Sequence, residues 1–132
     1  MRWSELIETV RETGQYDGAA DAERVTRVVL SALGGHVVGT VRADLARQLP
    51  PEAARLLADR IPAARPLTAA QFVESVAKCL PGATPATARW DVSSVLTALA
   101  RAVDGALVDR LLGLLPSGYA LLFGRAELVR AA

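Results

Sequence analysis

The sequence predicts an all-α protein: two tandem four-helix repeats packed into one compact unit. Three observations lead there. Shifted by 66 residues, the 132-residue chain lies on itself without a gap, and 15 of the 66 paired positions are identical. The matches are packing residues and chain breaks, with Leu30, Ala32 and Leu33 falling on Leu96, Ala98 and Leu99, and Leu49-Pro50 on Leu115-Pro116. Nearly every segment between the breaks spaces its apolar residues at helical intervals, and no Asn-Gly or Asp-Gly hairpin turn lies between alternating segments. The expected division is a first repeat at 1–60, a linker at 61–67 with Pro62 and Pro66, and a second repeat at 68–132.

In the first helix Trp3, Leu6, Ile7 and Val10 make one apolar stripe, and Gly14 is placed to end it. Its counterpart carries Phe72, Val73, Val76 and Leu80, starts at Thr68 with Gln71 at capping-box spacing, and stops before Pro81-Gly82. The second helix is the longest of each repeat. Thr84 suits an N-cap and Pro85 the first helical position, where no amide donor is needed. Ala88, Val92, Val95, Leu96, Leu99 and Val103 then share a face, as do Ala22, Thr26, Val29, Leu30, Leu33 and Val37. Gly34-Gly35 should shorten this helix in the first repeat only. Third helices are expected near 40–49 and 106–115. Each ends at a Leu-Pro corner, because proline disfavours helix at the residue before it. Short fourth helices follow, with Leu56 and Leu57 in one repeat and Tyr119, Leu122 and Phe123 in the other.

Composition is globular: 52% hydrophobic, 22% charged and 5% aromatic, with a net charge of +1. The halves carry nine basic and nine acidic residues, then six and five, so no polybasic face favours nucleic acid or an anionic membrane. Arginine dominates the cations, with Lys78 the only lysine, and the wealth of Ala and Arg fits a GC-rich bacterial genome. The single cysteine, Cys79, precludes an intramolecular disulfide. With two acids in the first eight residues and no apolar leader core, the expectation is a soluble, cytoplasmic protein. The most apolar stretch, 105–115, is broken by Asp109 and Arg110 and is too short to span a bilayer.

The run Leu115-Pro116-Ser117-Gly118-Tyr119-Ala120-Leu121-Leu122-Phe123, taken with Val95-Leu96-Thr97-Ala98-Leu99, resembles the bacterial family catalogued as domain of unknown function 2267. The first repeat holds a degenerate form, Leu49-Pro50-Pro51-Glu52-Ala53-Ala54-Arg55-Leu56-Leu57, without the aromatics. The resemblance covers nearly the whole chain. It implies the doubled helical layout and supplies no catalytic residue.

No catalytic constellation, cofactor motif or metal set emerges from the residues. His36 is the only histidine and has no ligand-type residue at i+3 or i+4, since Gly39 and Thr40 stand there, so a helix-end role is expected. Cys79 beside Lys78 reads as a small half-buried residue, and Ser93 and Ser94 as helix-surface serines with no base beside them. Glu5, Glu8 and Glu12 make a solvated face, while Glu8 and Glu74, shared by the repeats, suit a helix-to-helix ion pair. Gly34, Gly35 and Gly39 fit neither phosphate-loop nor dinucleotide spacing. Arg24, Arg27 and Arg89 beside Trp90 would be the nucleic-acid contacts, though Asp21 and Glu23 oppose two of them.

The functional hint lies where the repeats differ. Arg42, Ala46, Gln48 and Arg55 are paired with Val108, Leu112, Leu114 and Leu121. The third and fourth helices of the second repeat are thus apolar nearly all round and need cover on more than one side. Four such side chains are worth about 1.5–3 kcal/mol each when buried, comparable to a small domain's stability. Either they pack against the first repeat or they bind a partner. The expected function is therefore a non-enzymatic interaction module. It would take a protein partner or a second copy through Val108, Leu112, Leu114, Tyr119 and Leu121. The alternatives are a small-molecule pocket between the repeats, lined by Trp3, Trp90 and His36, and weak nucleic-acid binding.

Overall fold

The fold is set by where local chemistry starts and stops each helix. A computed structural model describes residues 1–61 and 65–125; positions 62–64 of the expected linker and 126–132 of the expected second repeat lie outside the described residues. Among the described residues there are eight helices and no strand: α1 Trp3–Gly14, α2 Ala19–Gly34, α3 Gly39–Gln48, α4 Pro51–Leu57, α5 Ala69–Cys79, α6 Pro85–Ala102, α7 Gly105–Leu114 and α8 Tyr119–Leu122. Thr68 caps α5 by accepting the Gln71 amide while Gln71 answers the Thr68 amide. Thr84 accepts the Thr87 amide ahead of Pro85, so α6 begins as the sequence predicts. At 18 residues against 16, α6 outruns α2, which ends at Gly34.

Gly14 does not end α1. The helix includes it, and Gln15 takes the left-handed cap conformation at φ 58°. Glycine is required there for another reason: a Cβ at position 14 would lie 2.2 Å from Tyr16 Cε2 and 2.7 Å from Ser94 Oγ. The end of α1 here lies against α6.

The core is one cluster drawn from both halves of the chain. α1 packs against α2 and α6, α5 packs against α6 and α2, and α2 touches α6, so two helices from each half form the central layer. α4 closes over α2, α8 over α6, and α3 meets α7. The Trp3 stripe behaves as its spacing predicts: Leu6, Ile7 and Val10 are buried, with Trp3 at the edge of the core. Phe72, Val76, Leu96, Leu99, Tyr119 and Phe123 are equally enclosed. No helix among the described residues is long and apolar enough to cross a membrane.

Candidate functional site

The five side chains expected to form an apolar surface do not share one fate. Val108 on α7 and Tyr119 on α8 turn into the core at 1% and 0% exposure. They are no surface, because each lies on the face of its helix that packs into the core. Leu112 is half-buried against the core. Leu114, the last residue of α7, and Leu121 on α8 remain in solvent at 43% and 51%. The surface that remains flanks the α7–α8 corner. Tyr119 anchors that corner: its ring meets Phe72 edge-on at 5.7 Å, and its hydroxyl donates to the Leu67 carbonyl at 2.9 Å. Burial pushes its phenol up to about 12, so it stays a donor at neutral pH.

Three of the four paired positions of the first half are polar, and two of them, Arg42 and Gln48, are engaged. Arg42 donates to the Leu57 carbonyl at 2.6 Å. Gln48 reaches across to α7's N-cap, accepting the Asp104 amide at 2.8 Å and donating to its carboxylate at 3.2 Å. Arg55 is exposed and, with Arg27, Glu52, Leu56 and Asp59, lines an open cleft.

His36 sits just beyond α2, its ring edge-on to Phe72 at 5.6 Å, and its buried Nδ1 has no hydrogen-bond partner. Burial, and secondarily the Arg60 charge, hold its pKa below the usual value. It is thus a neutral packing residue, not a cationic helix cap. Trp3 donates to Glu23 at 3.4 Å and lies under the Arg27 guanidinium, while Trp90 donates to the Gly14 carbonyl at 2.9 Å. The cleft beside Trp3, formed with Met1, Arg2, Pro50 and Pro51, contains neither Trp90 nor His36. Each of the three supposed pocket residues is thus engaged with a different neighbour.

Other candidates resolve locally. Ser94 is buried, not on the surface, and donates to the Trp90 carbonyl at 2.7 Å, the back-bonding a helix offers an interior serine. Cys79 is exposed rather than half-buried. Glu8 pairs with Arg11 one turn along its own helix at 2.5 Å, which lowers its pKa, while Glu74 is simply exposed. Both belong to helix faces, and among the described residues neither is paired with a cation on another helix. Arg24 and Arg27 are matched by Asp21 and Glu23 at 3.7 and 2.6 Å, leaving Arg89 exposed. Among the described residues no group of three or more His, Cys, Asp or Glu could hold a metal ion.

Two cross-links were not legible in advance. The Tyr16 hydroxyl donates to Asp91 at 2.5 Å, binding the end of α1 to α6, and its burial with that carboxylate raises the phenol pKa strongly. Arg110 on α7 donates to Asp44 on α3 at 2.7 Å and to Thr40 at 3.2 Å. The second could have been sought: 44 and 110 differ by 66, the shift that superimposes the sequence on itself.

The profile of a family described as an uncharacterized conserved protein (DUF2267) matches residues 3–122, and the chain belongs to that family. No curated protein matches it.

Proposed function

From that membership and the geometry of the corner, we propose that this chain is a non-enzymatic helical interaction module. It engages a protein partner at the α7–α8 corner, through Leu114 and Leu121 with half-buried Leu112. One observation carries the reading: two leucines stand 43% and 51% exposed where the paired first-half positions hold Gln48 and Arg55. An exposed leucine alone is ordinary. Here the same structural positions have a polar solution in one half, and the other half presents hydrocarbon instead. A second copy of the chain is the other occupant such a surface admits. An exposed free thiol fits a reducing, cytoplasmic setting, and we read the Ala- and Arg-rich composition as bacterial.

We infer further that the fold arose by duplication of a four-helix unit, with the units at 1–60 and 68–132. Three features support this. α3 and α7 occupy 39–48 and 105–114, offset by the 66 residues of the sequence shift. Helix packing is reciprocal, α1 on α6 and α5 on α2. Asp44 and Arg110, one shift apart, meet across the α3–α7 contact, as paired positions do near an approximate twofold axis. Each first helix packs on the second helices of both units.

The test is the double variant Leu114→Glu, Leu121→Glu, compared with the natural chain by light scattering and by affinity capture from native-host extract. As surface changes, these should alter stability by no more than about 0.5 kcal/mol each. The expected outcome is an unchanged helical spectrum with loss of the captured partner. A reduced mass in solution would assign the corner to self-association. Identical mass and identical captured proteins would refute the interface.

A further inference from the structure

We propose that the contact of His36 with Phe72 is an acid-sensitive latch, in which protonation at the buried Nδ1 releases the α2–α3 turn from α5. His36 comes from the turn after α2, Phe72 from the first turns of α5, and Tyr119 from α8 completes the stack of edge-on rings. The stack continues through the Tyr119 hydroxyl to the Leu67 carbonyl, in the residues that lead into α5. It therefore ties four parts of the chain to one imidazole.

A neutral imidazole can bury a bare ring nitrogen at modest cost. The imidazolium cannot, since both nitrogens are then N–H donors. The Nδ1 of His36 has no acceptor among the described residues, and an unsatisfied cationic donor is among the costliest groups to enclose. Among the described residues no opposite charge is found to offset it. From the segment after α4, Arg60 opposes a second positive charge, its own guanidinium held by the Ser31 hydroxyl at 3.2 Å. From α5 the ring meets Phe72, and no carboxylate from α2, α5 or α8 acts on it. The backbone here is fixed, with the His36 amide donating to the Leu33 carbonyl at 2.9 Å. Relief comes when the side chain swings into solvent and gives up Phe72.

The direction in pH follows. An unfolded or released histidine takes its proton near 6.5, whereas the latched one resists until lower pH. The latch is at full strength above about 6.5 and weakens as pH falls through the window beneath.

His36 is the only histidine, so its ring proton signals in an NMR titration are unambiguous. The expected result is a midpoint below 6.5, with the Phe72 and Tyr119 ring signals shifting at that same midpoint. Amide exchange at Phe72 and Val73, corrected for its intrinsic pH dependence, should accelerate by up to about tenfold per pH unit of depression. In His36→Phe, or His36→Gln should the first fold poorly, that acceleration should vanish. A His36 midpoint at or above 6.5 would overturn the latch. So would Phe72 and Tyr119 signals that stay flat through the titration, or an acceleration that persists without the histidine.

Discussion

The end of α2 and the matching stretch of α6 show how two halves of one chain solve the same packing problem differently. At Gly34 the backbone of α2 comes so near α4 that an added Cβ would lie 2.1 Å from the Leu57 carbonyl oxygen. That carbonyl is also the acceptor for Arg42. Sixty-six positions on, Ala100 stands in place of Gly34, α6 continues to Ala102, and Val108 replaces Arg42 as buried hydrocarbon. One half closes its fourth helix by backbone contact and a guanidinium; the other closes a four-residue α8 with aromatic and aliphatic bulk. Polar closure specifies direction and leaves polar groups at the surface. The apolar closure keeps only a few polar ties, Tyr119 to the Leu67 carbonyl and Thr97 to that of Leu122, while Leu114 and Leu121 stay outside.

The sharpest way to probe that contrast is at the aromatic stack. Phe72→Ala should cost about 3–5 kcal/mol, since it empties a fully enclosed site and removes an edge contact to both His36 and Tyr119. Leu6, its counterpart in α1, is just as buried but has no ring of its own to stack edge-on. Leu6→Ala should fall lower in the range of about 2–5 kcal/mol. Urea unfolding of the two variants ranks them. An equal or larger loss for Leu6 would mean that the ring stack adds nothing beyond its area.

Next in size is an exchange of small residues at the contrasted helix ends. Gly34→Ala forces methyl against backbone that cannot rotate away, and we expect about 1–3 kcal/mol of destabilisation with a shift of α4. Ala100→Gly, the reverse change in α6, should cost about 1 kcal/mol or less, the ordinary penalty of glycine inside a helix. If Gly34→Ala is tolerated as well as Ala100→Gly, the close approach of α2 to α4 is not what keeps glycine at 34.

Helix identity was readable because it rests on local chemistry. Thr68 with Gln71, and Thr84 with Pro85, carry their capping partners within four residues. Gly14 misleads for the opposite reason. What crowds it is the Tyr16 ring, turned toward α6 by its bond to Asp91, with Ser94 behind it, and no local pattern encodes that docking. The candidate surface was half legible for a related cause. In a helix apolar all round, periodicity names no inner face, so Val108 could not be told from Leu114 before the neighbours of α7 were known. Polar cross-links such as Tyr16 with Asp91 were out of reach too, being separated by 75 positions with nothing in either segment to announce the other.

The smallest effect concerns the ion pair that joins paired positions of the halves. Asp44 and Arg110 are 20% and 47% exposed, so their Coulomb gain is screened, and a double-mutant cycle through Asp44→Asn and Arg110→Gln should give about 0.2–1 kcal/mol of coupling. Raising the salt to 1 M should remove most of it, the screening length being about 3 Å there. A coupling well above that range that resists salt would show that the α3–α7 contact is drier than its exposure indicates. Exchanging the charges, Asp44→Arg with Arg110→Asp, sharpens the comparison of the halves. Were the surroundings symmetric, the swap would restore the whole coupling. They are not, since Arg47 and Thr40, which also contact this pair, both lie on α3. A new arginine at 44 would face Arg47, and the swapped pair should therefore recover only part of the coupling, by an amount that measures how unlike the surroundings of positions 44 and 110 are.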